Sequence, residues 1–331
     1  MAEDIFDLTV IGGGTTGLFA TYYASMRGMS VKVIESQSEF GGKVMQFFPE
    51  KRIYDVGGFP DIFGESLVYR MIDQARRHEP VMITGEWIEN IEKRTDDFRL
   101  RSSEGRDHYS KAVLLATGNG TFHTKTAPEW EALPHPTFRQ QVASHLMHKE
   151  RYHNKRVVIA SDNKVGVGWA LYLKDQASSV TVVNPNETFH QVKDADLQAL
   201  LDSHVTVYFQ SSLTDLQVVD EQLEYVQLLD KDQQIVTIEA DEIVTFHGLE
   251  LQQTPFADWG VTIEKGRIPV KGDMATNVAG IFAAGDIVQY EGKTNLIASG
   301  YTEAITAVNR AHQSIDPKAT EQLYSTVIYR N

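Results

Sequence analysis

The sequence predicts an α/β protein made of two Rossmann-like, three-layer domains, one inserted into the other. Strands rich in Val, Ile and Leu alternate with helical stretches, the pattern of a parallel sheet covered on both faces. A strand-turn-helix-strand unit opens near residue 7 and another near residue 155. Near residue 280 the chain resumes the pattern of its first part, so one domain is split by the other.

Asp7–Ile11 reads as a buried strand and runs into Gly12-Gly13-Gly14-Thr15-Thr16-Gly17, followed by a helix to Arg27 and a second strand, Val31–Ile34, ending on Glu35. GxGxxG in this context, with an acid after the second strand, is a dinucleotide fingerprint. Gly12, Gly14 and Gly17, with Thr16 among them, let backbone approach a diphosphate whose charge the helix start stabilises. Glu35 can accept hydrogen bonds from both hydroxyls of an adenosine ribose and would repel a 2′-phosphate. The ligand expected here is therefore FAD or NAD, not NADP.

A helix (about Ser66–His78) and paired strands around Trp87–Glu92 and Phe98–Ser102 follow, then a buried strand Ala112–Ala116 ending at Thr117-Gly118-Asn119-Gly120. The second unit comprises a strand Lys155–Ile159, a helix Val165–Gln176, a strand Val180–Val183 and a closing strand Glu242–Phe246. Gly280–Asp286 and a helix Leu296–Asn309 return to the first domain. The expected boundaries are 1–118 and 247–331 for the split domain and 119–246 for the insert, with a two-strand hinge near Asn119 and His247.

A length of 331 residues suits two domains. The 42% hydrophobic and 23% charged composition is that of an ordinary soluble protein, and no apolar run reaches the roughly 18 residues of a membrane span. The first strand begins within a few residues of Met1, so a cytoplasmic location is expected. There is no cysteine, which excludes disulfides, thiolate metal sites and dithiol relays and assigns any redox chemistry to a cofactor. The net charge of −14 argues against nucleic acid as a partner. The histidines, among them His123, His135 and His190, show no metal-ligand spacing. Trp130, Trp169, Trp259, Tyr22 and Tyr23 read as packing residues.

Gly280–Asp286 offers a second ligand signal, since a short apolar strand ending in Ala284-Gly285-Asp286 can place a carboxylate against sugar hydroxyls. It also reads as an ordinary turn. The helix after Asp286 can stabilise a reduced flavin through its N-terminus, or can simply pack.

With these motifs placed, the chain resembles the type 2 ferredoxin-NADP reductases, thioredoxin-reductase-like flavoproteins of the pyridine nucleotide-disulfide oxidoreductase type that lack redox cysteines. The resemblance spans nearly the whole length and is densest in Pro49–Pro60, Tyr109–Lys111, Gly118–Phe122, Phe282–Asn309, Asp316–Ala319 and Leu323–Thr326. It implies FAD, with Gly12, Gly14 and Gly17 at the diphosphate, Glu35 at the ribose, the Ile88 backbone at the adenine, Phe122 alongside, Asp286 at the ribityl chain and Thr326 near the isoalloxazine. Two aromatic residues would sandwich the flavin, Phe48 where the family has tyrosine and Tyr324 where it has a partner subunit's histidine. Lys43 stands at a glutamine that contacts FAD; it either pairs with the reduced flavin or points to solvent. The resemblance also implies a homodimer and a ferredoxin- or flavodoxin-like electron carrier.

NAD(P)H is the second ligand the resemblance implies, and the residues speak against it. The family's GGGxSxxD turn is here Ser161–Gly168, with all three glycines of the turn lost, and its arginine-bearing HRR is Asn184-Pro185-Asn186. Asp162 adds negative charge where phosphate oxygens belong, while Gly166 and Gly168 fall inside the expected helix. Lys164 alone does not replace a glycine cradle. Three expectations follow: a reductase of this type with impaired NAD(P)H use, a flavoprotein reduced by another donor, or a catalytically idle FAD-bound dimer with a binding or regulatory task.

Overall fold

A computed structural model describes residues 4–125, 142–321 and 323–328. The chain divides into two compact units, Met1–Thr121 with Leu251–Asn331, and Phe122–Glu250. Trp130 and His135 lie outside the described residues.

The first unit is organised around β1 (Ile5–Ile11), whose Leu8 and Val10 are fully buried. It pairs in parallel with β2 (Val31–Ile34) on one side and with the long strand Asp107–Leu115 on the other. Val81–Ile83 extends the sheet beyond β2. The far side of Asp107–Leu115 is shared. Its first half pairs antiparallel with Phe98–Ser102, which pairs with Ile88–Lys93; its second half pairs in parallel with Ile281–Ala283 of the returning chain. A strand with neighbours on both edges and layers on both faces needs apolar side chains throughout, and Ala112–Leu115 supplies them. Phe98, Leu100, Val113, Trp259 and Ile281 form the core on one face.

On the other face lies α1 (Thr15–Met26), packed against α3 (Gly64–Ala75) and the long C-terminal helix Ile297–Ile315. Arg27 fixes the end of α1. Its Nε donates to His312 Nδ1 (3.2 Å), one terminal nitrogen donates to Asn309 Oδ1 (2.8 Å), and the other to the Thr320 carbonyl. These bonds hold the last helix six residues beyond its expected end at Asn309.

In the second unit, Arg156–Ser161 runs between Ser179–Val183 and Glu242–Phe246, all parallel, with Thr206–Tyr208 and Val142–Ala143 at the edges. Alternation divides the central strand between two cores. Val157 and Ile159 meet Trp169 and Leu173 of the helix Lys164–Leu173, while Val158 and Ala160 meet Leu213, Val226 and Leu228 of an antiparallel three-stranded sheet, Ser212–Val219, Gln222–Leu229 and Ile235–Glu239. The third layer here is thus a sheet, which sequence reading did not anticipate. No described helix is long and apolar enough to cross a membrane. Among the described residues, no cluster of His, Asp and Glu has the makings of a metal site.

Candidate functional site

The glycines after β1 do different jobs. Gly12 has φ +101°, and a Cβ there would lie 2.5 Å from the Ala116 carbonyl oxygen. A Cβ on Gly17 would overlap the Gly12 carbonyl, and one on Gly13 the Phe40 ring. These three are bare because protein packs against them. A Cβ on Gly14 would meet nothing nearer than the Gly42 Cα, at an ordinary contact distance of 3.9 Å. Gly14 is also the N-cap of α1, extended, with no side chain accepting from the first-turn N–H groups. A helix start left in this state presents donors and positive potential to an anion.

Opposite this turn stands a second glycine pair, Gly41-Gly42, at the start of α2 (Gly42–Phe47). The Gly41 N–H donates to the Gly13 carbonyl (2.8 Å), and Gly14 and Gly41 form an isolated bridge. Sequence reading missed this pair. The available signal was a GG doublet directly before Lys43.

Glu35 is buried at the end of β2. Oε2 accepts from the Gly13 N–H (2.7 Å), and Oε1 accepts from the Gln37 N–H (2.8 Å) and from Ser36 Oγ (3.0 Å). Burial pushes its carboxyl above the usual range, against the pull of these hydrogen bonds. Glu35 therefore braces the glycine turn. A carboxylate offers about four acceptor positions, so three donors leave room for a ligand hydroxyl.

At the end of Ile281–Ala283, the backbone turns at Gly285 into Asp286. The Asp286 carboxylate pairs with Lys43 Nζ (3.2 Å), and Asn119, with its amide turned to the orientation that satisfies both neighbours, donates to the Asp286 carbonyl (3.2 Å) and accepts from Lys43 (3.3 Å). Lys43 thus holds the carboxylate expected to meet a sugar chain. Behind the turn, buried Glu303 accepts from the Gly285 N–H, the Tyr290 hydroxyl and Lys293 Nζ, each at 2.7 Å. Burial first, and then the bond to Glu303, pushes Tyr290 up to about 12. Glu303 carried no sequence signal, because its partners meet it only when the last helix docks.

Thr16 sits where two helix starts converge. A Cβ on Gly300, in the first turn of Ile297–Ile315, would overlap Thr16 Oγ1, and one on Gly285 would lie 2.9 Å from it. The N-cap of that helix, Leu296, also provides no side-chain acceptor. Thr117 Oγ1, just beyond the central strand, is shut from solvent with no hydrogen-bond partner. Phe48 ends α2 and is 48% exposed, and Tyr324 is 59% exposed. Thr326 lies exposed on the short helix Ser325–Ile328, Ile88 is buried at the start of its strand, and Phe122 lies on the strand Thr121–Thr124.

The corresponding turn of the second unit is built differently. Asn163 caps Lys164–Leu173, its Oδ1 accepting from the Val165 N–H (3.0 Å). The Lys164 N–H donates to the His190 carbonyl (3.1 Å), and the His190 N–H to the Asp162 carbonyl (2.7 Å). The Asp162 carboxylate accepts from Asn163 Nδ2 (3.0 Å) and Asn186 Nδ2 (3.2 Å). Fully buried Asn184 holds the segment through Thr188 and the Asn186 N–H. Gly166 packs on Ser161, whose hydroxyl donates to the Phe246 carbonyl (2.9 Å).

The profile of the pyridine nucleotide-disulphide oxidoreductase family matches residues 6–313. Ferredoxin–NADP reductase 2 of Oceanobacillus iheyensis is 35% identical over 334 residues, covering 99% of this chain and all of that protein. Ferredoxin–NADP reductase 1 of Bacillus velezensis is 37% identical (98% of each chain), and ferredoxin–NADP reductase 2 of Bacillus subtilis 36% identical (100% of each). Among solved structures, thioredoxin reductase of Lactococcus lactis in its FR conformation aligns at a TM-score of 0.59 with 20% identity, covering 94% of this chain and 99% of that one. The T. acidophilum thioredoxin reductase aligns at 0.58 with 22% identity, covering 95% and 98%. Both support the fold alone.

Proposed function

The chain belongs to the pyridine nucleotide-disulphide oxidoreductase family, among its ferredoxin–NADP reductase relatives, and from that premise we propose an FAD-dependent oxidoreductase that exchanges electrons with a ferredoxin- or flavodoxin-like carrier. The observation that carries this reading is the glycine turn after β1, where Gly14 begins α1 with no side-chain cap and a Cβ would meet nothing nearer than the Gly42 Cα at 3.9 Å. A chain without cysteine has no disulfide to relay electrons, so the flavin is the redox group.

The residues of the first unit fit FAD. Gly14, Gly42 and the first-turn amides of α1 would hold the diphosphate, with Gly12, Gly17 and Thr16 shaping the turn. Glu35 would take a ribose hydroxyl while bracing that turn, and the Ile88 backbone would meet the adenine. Asp286, aimed by Lys43 and Asn119, would take a ribityl hydroxyl. Phe48 and, across a homodimer, the partner's Tyr324 would cover the two flavin faces and exclude water, with Thr326 at the edge. The exposure of Phe48 and Tyr324 in the single chain supports this. Bound there, the isoalloxazine supplies conversion between two-electron and one-electron transfer. The converging helix starts at Thr16 favour negative charge on that ring system.

The family also implies NADP(H), and the turn of the second unit does not fit a dinucleotide diphosphate: its first two helical amides, those of Lys164 and Val165, are already bonded within the protein. The test of the FAD reading is purification with stoichiometric FAD, bleaching by dithionite under anaerobic conditions, and reoxidation by ferredoxin or flavodoxin. A protein that neither retains nor takes up FAD would sink it.

A further inference from the structure

We propose that the Asp162-Asn163 turn and the 184–190 segment are a built-in occupant of the second unit's dinucleotide site, which makes Asp162, Asn163 and Asn186 the residues that set its response to NAD(P)H. In a Rossmann-like unit the diphosphate lies beyond the end of the first strand and takes hydrogen bonds from the following helix start. Here that strand is Arg156–Ser161 and that helix is Lys164–Leu173.

Two of the donors at this helix start already have acceptors within the protein. The Val165 N–H is taken by the Asn163 side chain and the Lys164 N–H by the His190 carbonyl. The acceptors are tethered, so a free phosphate must displace groups that never leave the site. The segment supplying them is itself braced. Asn184 is fully buried and bonded to Thr188 and Asn186, the Gln210 N–H donates to the Asn186 carbonyl (3.1 Å), and Asn163 Nδ2 donates to the Phe246 carbonyl (3.1 Å). Asp162 then sets a carboxylate where phosphate charge would come, held by Asn186 Nδ2 and 3.9 Å from His190 Nε2. The first unit shows the contrast, with the cap position of α1 held by Gly14 and no side-chain acceptor.

The inference rests on the Rossmann-like architecture of the second unit and deepens the proposed function by assigning its nucleotide response. The test uses the FAD-loaded protein. NADP⁺ and NAD⁺ are titrated calorimetrically, and NADPH and NADH are added anaerobically while flavin bleaching is followed. The wild type is expected to show no saturable binding up to on the order of 1 mM, where affinity is only a few kcal/mol, and slow bleaching. The Asp162→Gly/Asn163→Gly double variant should gain at least about tenfold in affinity, equivalent to about 1.4 kcal/mol. Asp162→Asn, which keeps the helix cap, should gain a smaller factor and guards against misfolding of the double variant. Micromolar binding or rapid stoichiometric bleaching in the wild type overturns the proposal, as does the absence of any gain in a folded variant. Dithionite bleaching of the same samples reports on the FAD site separately, so failure of the flavin reading and failure of the occupant are distinguishable.

Discussion

At the scale of single residues, the glycines of one motif separate by what would replace their hydrogens. Gly14→Val places a Cβ at ordinary contact distance, 3.9 Å from the Gly42 Cα, at an extended position any residue adopts, so the fold should persist while FAD content falls to a small fraction of wild type. Gly17→Ala drives a Cβ into the Gly12 carbonyl, and should cost stability at or above the top of the ~1–3 kcal/mol range for overpacking. Flavin absorbance and urea midpoints measured on both variants check the pair; equal losses of stability would refute the division. Sequence spacing marks all three glycines of the fingerprint alike, because spacing reports the turn and not which Cα the ligand approaches. Glu35 shows the same limit. Its place after β2 is visible in sequence, yet one of its oxygens serves the Gly13 N–H, a contact that exists only once β2 lies beside β1, while Ser36 and Gln37 take the other locally.

At the scale of elements, the long C-terminal helix organises the site through Glu303, which bonds Gly285 ahead of Asp286 and the Tyr290-Lys293 loop after it. Tyr290, raised from 10.0 to about 12 by burial and its bond to Glu303, donates only when protonated. Its contribution to stability is therefore complete below pH 10 and lost as pH rises toward 12. Tyr301, also raised to about 12 by burial, acts with the same sign, so comparison of wild type with Tyr290→Phe isolates the Glu303 bond. The urea midpoint of the wild type should fall more steeply between pH 10 and 12 than that of the variant, and parallel curves would refute the assignment. The βαβ units, both Asp-ended and Glu-ended strands, and the return at residue 280 were legible because each is a local apolar run closed by a turn. The antiparallel layer 212–239 was not. Its strands bury one face against the parallel sheet and leave the other wet, and many of the exposed positions are Asp, Glu and Gln, which have low strand preference. The plugged turn was legible only as lost glycines; the segment that fills it lies more than 20 residues downstream and arrives by tertiary packing.

At the scale of the whole molecule, the net charge of −14 opposes an acidic electron carrier at long range, so a productive encounter would need a local basic patch. Lys51 and Arg52, beside the exposed Phe48, are the cations sequence suggests for it. Both are committed: Lys51 Nζ lies 3.4 Å from Glu50 and Arg52 pairs with Asp61. A cation balanced by an adjacent carboxylate contributes little potential beyond its own pair, and the summed field keeps its sign. The second-order rate of electron transfer to an acidic ferredoxin or flavodoxin should consequently rise with ionic strength, as the screening length contracts from about 30 Å at 0.01 M to about 8 Å at 0.15 M. Stopped-flow reoxidation of dithionite-reduced protein over that range checks the sign. A rate that falls with salt would mean that attraction at a local patch outweighs the global charge, and Lys51→Ala would then be expected to abolish the salt dependence. A rising rate that Lys51→Ala leaves unchanged would place docking under apolar contact, with exposed Phe48 and Tyr54 the side chains positioned near these two cations in sequence to supply it.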